Sequence, residues 1–337
     1  MGETVTKKLT LANIAEMAGV SKSTVSFVLN GHAQKYRIKQ STIDKVMSVV
    51  NEQQYSPSVY ARALKSKKTY TIGVVIPDLV NMGFATVVKF LESKGRQQGY
   101  QLLVASSEDD TELEALAVEN LMQRQVDILM VASCMQSPDF YQDINKSVPV
   151  ILFDRTIENS HLPCVKTDSV TGTKQLVSKL LLNSRSEECI YFGGSPELST
   201  SRERLEGFKL GLQEMGMPFA DNYVFHGNHK AESGFRMMAS VMEQRKQLPK
   251  TIFTASYSIL EGVLKYLSQH NLMNENICLG TFDDYQILDC LPIKIDSIEQ
   301  DYLTISSELI SMMNKIFNKE KLSEPHVSVA AKTHYRY

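Results

Sequence analysis

The segment Leu11-Ala-Asn-Ile-Ala-Glu-Met-Ala-Gly-Val-Ser-Lys-Ser-Thr-Val-Ser-Phe-Val-Leu-Asn30 constrains this chain more than any other. Ile14, Ala15 and Ala18 fall on one small apolar face at helical spacing. Gly19 follows, a residue that enters a left-handed turn without the clash a Cβ would cause. Val20 closes the turn, and Ser21 stands where a side-chain oxygen caps a second helix. Val25, Val28 and Leu29 give that helix an inner face, which leaves Lys22, Ser23, Ser26 and Phe27 for another. Two short helices around a glycine predict a helix-turn-helix, a motif that lays its second helix in the DNA major groove. A third helix over about 41–53, with Ile43, Val46, Met47 and Val50 at helical spacing, completes a three-helix headpiece.

The charge distribution agrees with a DNA-facing end. The net charge of −2 conceals 11 Lys+Arg against 4 Asp+Glu in residues 1–68, a net of +7, and −9 in the remainder. A basic module on an acidic body suits a protein of which only one part should meet a polyanion. At 43% hydrophobic and 22% charged, the 337 residues predict two or three globular domains. The five cysteines are scattered and never form a C-x-x-C pair, so they are expected to be reduced thiols, with no metal site and no cofactor. The polar N-terminus has no signal-like apolar run and no stretch approaches a membrane span, so a cytoplasmic protein is expected. No phosphate-cradling G-x-x-x-x-G-K-[ST] and no H-E-x-x-H occur, and Gly193-Gly194-Ser195 lacks the frame of a nucleophile elbow. No catalytic residues are therefore expected.

After Tyr55, Pro57 begins a short helical pattern, Tyr60-Ala61-Leu64, followed by Lys65, Lys67 and Lys68. A helix this short is marginal alone and is expected to order only against DNA or its copy in a second subunit. From Tyr70 the texture changes. Thr71-Ile-Gly-Val-Val-Ile-Pro77 reads as a buried parallel strand, and strands and helices then alternate to a last helix near 303–317 and a terminal strand near 327–331. The expected fold is α/β: a helix-turn-helix headpiece (1–56), a hinge and linker (57–69), and a two-lobed, doubly wound sensor (70–337). The lobes are expected at about 70–167 plus 302–320, and 168–301 plus 321–337, with a ligand cleft between them at the carboxyl ends of the strands.

Several ordered pieces resemble the lactose/galactose repressor family of bacterial transcription regulators. They are Thr10-Leu-Ala-Asn-Ile-Ala, Ala18-Gly-Val-Ser21, Thr24-Val-Ser26, Asn30-Gly31, Tyr55-x-Pro57, Ile72-Gly-Val-Val-Ile-Pro-Asp78, Phe153-Asp-Arg155, Ser201-Arg-Glu-Arg204, Phe282-Asp-Asp284 and Gln300-Asp301. The loop Gly31–Ile38 is similar to that of the fructose-type branch, and Val131–Met135, Leu198–Arg202 and Leu260–Tyr266 to the sucrose-operon branch. The resemblance implies the two-lobed fold of periplasmic binding proteins and a homodimer on a near-palindromic DNA operator.

On the DNA side the resemblance implies Lys22 and Ser23 as base readers, and Ser21, Thr24, Ser26 and Asn30 as phosphate or capping groups, with Leu11 and Tyr55 completing the set. Phe27 either presses a thymine methyl or packs within the headpiece. Leu64 is implied as a wedge into the minor groove, against the alternative of an ordinary core leucine. On the sensor side Asp154 and Asp283 are implied as carboxylates for sugar hydroxyls and Arg204 as the central ligand arginine. Arg155 is a candidate for a phosphate, Arg202 either that or a surface ion pair, Phe84 and Tyr302 candidate walls, and Ser256 stands where asparagine is usual. An ion-pair network across the crevice is the alternative for the charged set.

The expectation is a repressor of a sucrose-utilisation operon released by fructose or fructose 1-phosphate. The rivals are a fructose-responsive global regulator and, in another class, a sugar-transport binding protein. No leucine heptad follows the last strand, so a dimer is expected rather than a tetramer.

Overall fold

A computed structural model describes residues 9–55 and 68–337. The chain forms two compact units, divided between Thr69 and Tyr70.

In the first unit α1 (Leu11–Met17) opens on a capping box. Thr10 accepts from the Asn13 amide, and the Asn13 side chain accepts from the Thr10 amide at 3.0 Å. Gly19 has φ +61°, as the turn requires. Ser21 caps α2 (Lys22–Leu29) by accepting from the Thr24 amide at 3.1 Å. With α3 (Gln40–Glu52) these helices enclose Ile14, Ala15, Ala18, Val25, Val28, Val46 and Val50. Met47, expected on the inner face, is exposed. The inner stripe of α3 follows Ile43, Val46 and Val50, which leaves Met47 at its margin.

The second unit holds two parallel-stranded layers with the same plan. The first lobe runs β1 (Thr71–Ile76), α4 (Met82–Gln97), β2 (Gln101–Ser106), α5 (Thr111–Gln123), β3 (Ile128–Val131), α6 (Asp139–Asn145), β4 (Val150–Phe153) and β5 (Cys164–Thr167). The second runs α7 (Ser169–Ser184), β6 (Ile190–Gly193), α8 (Ser199–Glu214), β7 (Val224–His226), α9 (Ala231–Arg245), β8 (Thr251–Thr254), α10 (Tyr257–Gln269), β9 (Cys278–Phe282) and β10 (Ile295–Glu299). The chain then returns through α11 (Tyr302–Phe317), β11 (His326–Val329) and β12 (Lys332–His334).

The sheets read β11-β5-β4-β3-β1-β2 and β12-β10-β9-β8-β6-β7. Each therefore contains the order 2-1-3-4-5 of a doubly wound half. Central strands are buried on both faces, so they read as unbroken apolar runs. Ile72, Val74 and Ile76 pack with Leu91 of α4 and Leu309 of α11; Val75 points the other way, toward Val118 of α5. In the second lobe Tyr191 and Phe253 meet Leu176 and Phe208, while Phe192 and Ile252 meet Met238 and Val263. Each such side chain, fully buried, contributes about 1.5–3 kcal/mol. Of the five free cysteines four are buried within this body.

Two sequence expectations need correction here. The terminal strand near 327–331 is two strands, and the segment from 321 does not belong wholly to the second lobe. β11 pairs in parallel with β5 in the first sheet, and only β12 joins β10, antiparallel, in the second. The chain thus crosses between lobes three times, after β5, after β10 and between β11 and β12. Four residues suffice to cover an edge of the first sheet, and an alternation that short is not resolved in sequence from its neighbour. β5 carries no clear strand signal in sequence, because Cys164-Val-Lys-Thr167 is short and interrupted by a lysine.

Candidate functional site: a cleft between the two lobes

Because eleven of the twelve strands run as parallel neighbours, with only β12 antiparallel, their carboxyl ends collect the following loops at one cleft. Asp78 follows β1, Glu108 and Asp109 follow β2, and Asp154 and Arg155 follow β4. From the other lobe Ser195 follows β6, Asn228, His229 and Lys230 follow β7, Ser256 follows β8, Asp283 follows β9 and Gln300 follows β10. They enclose a cavity of about 520 Å³.

The two aspartates are placed by the same unusual backbone. Asp154 has φ +63° and Asp283 φ +75°, a region that costs a non-glycine residue about 1–3 kcal/mol. Around Asp154 the Arg155 amide donates to the Phe153 carbonyl at 2.6 Å, closing a three-residue turn. Each turn directs a carboxylate off the end of a strand whose last residue, Phe153 or Phe282, is anchored in the core. Asp283 accepts from Gln300 Nε2 at 2.7 Å, from the Tyr302 hydroxyl at 3.3 Å and from the Tyr257 amide at 3.4 Å. Gln300 in turn accepts from Thr167 Oγ1 at 2.6 Å, joining the two crossover strands. Burial pushes the Asp154 carboxyl above its usual range, against the pull of Arg155 and Arg204.

Arg204 is 5% exposed and lies over the Phe282 ring at 3.8 Å. Its Nη1 donates to the Ala255 carbonyl at 2.6 Å, and its buried Nε has no partner among the described residues. A cation so stacked, with donor capacity to spare, suits several ligand hydroxyls. Ser256 caps α10 by accepting from the Ile259 amide. Phe84 and Tyr302 line the cavity at the starts of α4 and α11, and the Asn81 side chain caps α4.

Two of the expected roles change. Arg155 lines the cavity, but its guanidinium is bound to Asp109 and lies 3.7 Å from Asp154. Its charge is taken, so it is a poor phosphate clamp and a good organiser of the acidic wall. Arg202 is not at the cavity. It donates to the Pro196 and Glu197 carbonyls at 3.2 and 2.5 Å. Residues two apart on a helix point to different faces, so α8 cannot aim both Arg202 and Arg204 inward.

Sequence reading missed His229, Lys230, Asn228, Gln300 and Asp109. All lie just after a strand's carboxyl end: Asn228, His229 and Lys230 follow β7, Gln300 follows β10 and Asp109 follows β2, so that rule applied to every strand could have found them. His229 donates to or accepts from Ser201 Oγ at 3.0 Å, and burial, aided by Arg204, pushes it down to about 3. It is a neutral polar wall. Gly194 makes room for it, since a Cβ there would meet His229 Nε2 at 2.0 Å.

In the headpiece Lys22 and Ser23 are exposed at the start of α2. Ser21 is engaged as a cap, and Asn30 Nδ2 donates to the Ser26 carbonyl at 2.6 Å. Phe27 stacks on Tyr36, ring centroids 3.7 Å apart. Leu11 and Tyr55 are half-buried against the headpiece core. Leu64 and the expected hinge helix lie outside the described residues. Among the described residues no helix is long and apolar enough to cross a membrane.

Two family models match the chain. Residues 10–58 match the bacterial regulatory proteins of the lacI family, and residues 69–310 match the periplasmic binding proteins and sugar binding domain of the LacI family. The sucrose operon repressor of Klebsiella pneumoniae is 41% identical over 313 residues, 93% of each chain. The crystal structure of the Cra transcriptional dual regulator of Pseudomonas putida with fructose 1-phosphate is similar with a TM-score of 0.74 and 30% identity, over 80% of this chain and 99% of that one. The lac repressor dimer bound to operator and the anti-inducer ONPF shares the fold with a TM-score of 0.85 at 20% identity, over 98% of both chains. A helix-turn-helix headpiece followed by a two-lobed sensor with a polar cleft, matched along nearly its whole length, places this chain in the LacI family of bacterial transcriptional regulators.

Proposed function

We propose that this protein represses a sucrose-utilisation operon and is released from its operator by fructose or fructose 1-phosphate. The observation that carries the reading is the convergence of Asp154, Asp283 and Arg204 from both lobes on one cavity, a set suited to bridging hydroxyls of a small sugar. The walls differ in charge. The first lobe presents Asp78, Glu108, Asp109 and Asp154 against Arg155; the second presents Arg204 and Lys230 against Asp283. Hydroxyls suit the first wall. A phosphate arm suits only the second, where Lys230 forms no ion pair among the described residues and Leu198 provides no side-chain cap for α8. The similar Klebsiella protein is named for the sucrose operon and the Pseudomonas one holds fructose 1-phosphate, which supports this choice of sugar.

In this reading a sugar that binds the closed cleft better than the open one shifts the lobes together. In a homodimer on a near-palindromic operator, that movement weakens the joint grip of two headpieces. Lys22 and Ser23 read base edges, Thr24, Ser26 and Asn30 support phosphate contacts, and Leu64 wedges the minor groove. The headpiece counts against a transport binding protein.

Calorimetry of the full chain against fructose, fructose 1-phosphate and sucrose tests the effector. Binding by sucrose alone overturns it. Gel shift on the sucrose-operon promoter tests the target, with Leu64→Ala expected to lower operator affinity and leave sugar affinity intact. The 30% identity to Cra favours a second reading, a fructose-responsive global regulator. Strong binding at many unrelated promoters would favour that one.

A further inference from the structure

The two aspartate turns are braced differently. After Asp154 the chain supplies its own cation, Arg155, which binds Asp109 of the same cavity wall. After Asp283 comes an acid, Asp284, and the cation arrives from the far end of the chain. Arg336 Nη2 donates to Asp284 Oδ1 at 2.7 Å, Nη1 to Ser297 Oγ at 2.7 Å and to the Ile295 carbonyl at 3.1 Å, and Nε to Asp289 Oδ1 at 2.7 Å. Its backbone amide donates to Asp296 Oδ1 at 2.6 Å. Ser297 Oγ also donates to Asp284 Oδ1 at 2.5 Å. The Arg336 side chain is only 12% exposed. One guanidinium therefore joins β10, the segment after β9 and the tail that follows β12.

We propose that Arg336 is a positioning residue for the effector site: through Asp284 it holds the left-handed turn that aims the Asp283 carboxylate into the cleft. Asp283 and Asp284 are consecutive, so one faces the cavity only while the other is anchored behind it. The planar fork matters, because a single guanidinium grips four acceptors that a lysine could not hold together. The inference rests on the reading of Asp283 as an effector ligand.

The test uses the full chain with fructose and fructose 1-phosphate as probes. Arg336→Ala and Asp284→Ala should each weaken sugar binding about tenfold, and the double variant no more than either, the mark of one coupled unit. Arg336→Lys should recover part of the loss. Tyr337→Phe is the control. It removes the neighbouring tail bonds to the Ile277 carbonyl and from the Leu279 amide, which do not reach Asp284. It should lower thermal stability and leave sugar affinity unchanged. Amide exchange supplies a readout without sugar: the Tyr257 amide, which donates to Asp283, should lose protection in Arg336→Ala and keep it in Tyr337→Phe. Wild-type affinity and wild-type protection in Arg336→Ala, or losses that track thermal stability across all the variants, overturn the proposal. Unchanged sugar affinity in Asp283→Asn defeats the underlying site reading instead, and the exchange result then decides the positioning role alone.

Discussion

The two lobes of the sensor share a strand order and a device yet present opposite faces to the same cavity. Each ends its fourth strand on a phenylalanine and follows it with an aspartate at positive φ, Asp154 or Asp283. From there they diverge. The first lobe surrounds its aspartate with further acids and one arginine already bound to them. The second stacks Arg204 on Phe282, sets a neutral His229 beside it and leaves Lys230 open. Repeated backbone geometry thus provides two matching acceptors, while unlike side chains give the cavity a direction. In the proposed reading, a sugar held by both walls takes one favoured orientation and completes its contacts when the lobes are together.

The largest test of this contrast removes the cation of the second wall. Arg204→Met should weaken sugar binding at least ~100-fold, about 3 kcal/mol, because hydroxyls lose a charged donor and Asp154 and Asp283 lose their counter-charge; calorimetry reads it directly. The next compares the repeated device. Asp154→Asn and Asp283→Asn should each cost about 1.5–2 kcal/mol of binding. A loss at only one of them would mean that the lobes share the turn but not its use. Gly194→Ala acts on the second wall alone. A methyl there collides with His229, so thermal stability should fall by about 1–2 kcal/mol and sugar binding should weaken several-fold.

The smallest effect is a pH dependence. His229 is held down at about 3 in the folded chain against 6.5 when unperturbed. Above pH 6.5 the imidazole is neutral whether the chain is folded or not. As pH falls from 6.5 toward 3 the unfolded chain takes up the proton and the folded one does not, so stability declines across that window. His229→Gln should flatten the decline in thermal melts; an unchanged slope would show that the histidine is protonated in place.

Much of the recognition machinery was legible in the residues because it depends on local order. Gly19 between two apolar triplets specifies the turn of the headpiece, and Ser21 its cap, with no help from distant parts. The parallel sheet was equally plain, since strands buried on both faces must be apolar throughout. Phe-Asp at strand ends marked the two carboxylates that line the cleft. His229 and Lys230 were less visible because they follow β7, a three-residue edge strand with half-exposed positions and little periodicity. Arg202 misled because a charge in a motif carries no direction until its helix is docked. Arg155 misled because Asp109, 46 positions away, absorbs its charge.

The order of residues alone therefore settled most of the helices and strands among the described residues, that the sheets are largely parallel, and that one end of the chain carries a DNA-binding headpiece, because these follow from spacing, capping and charge within short windows. Only the folded body decided the polarity of the cavity, the third crossing that divides β11 from β12, and the bracing of Asp284 by Arg336. Those depend on groups far apart in sequence meeting at a few ångströms, where hydrogen bonding and burial set which charges remain available to a ligand.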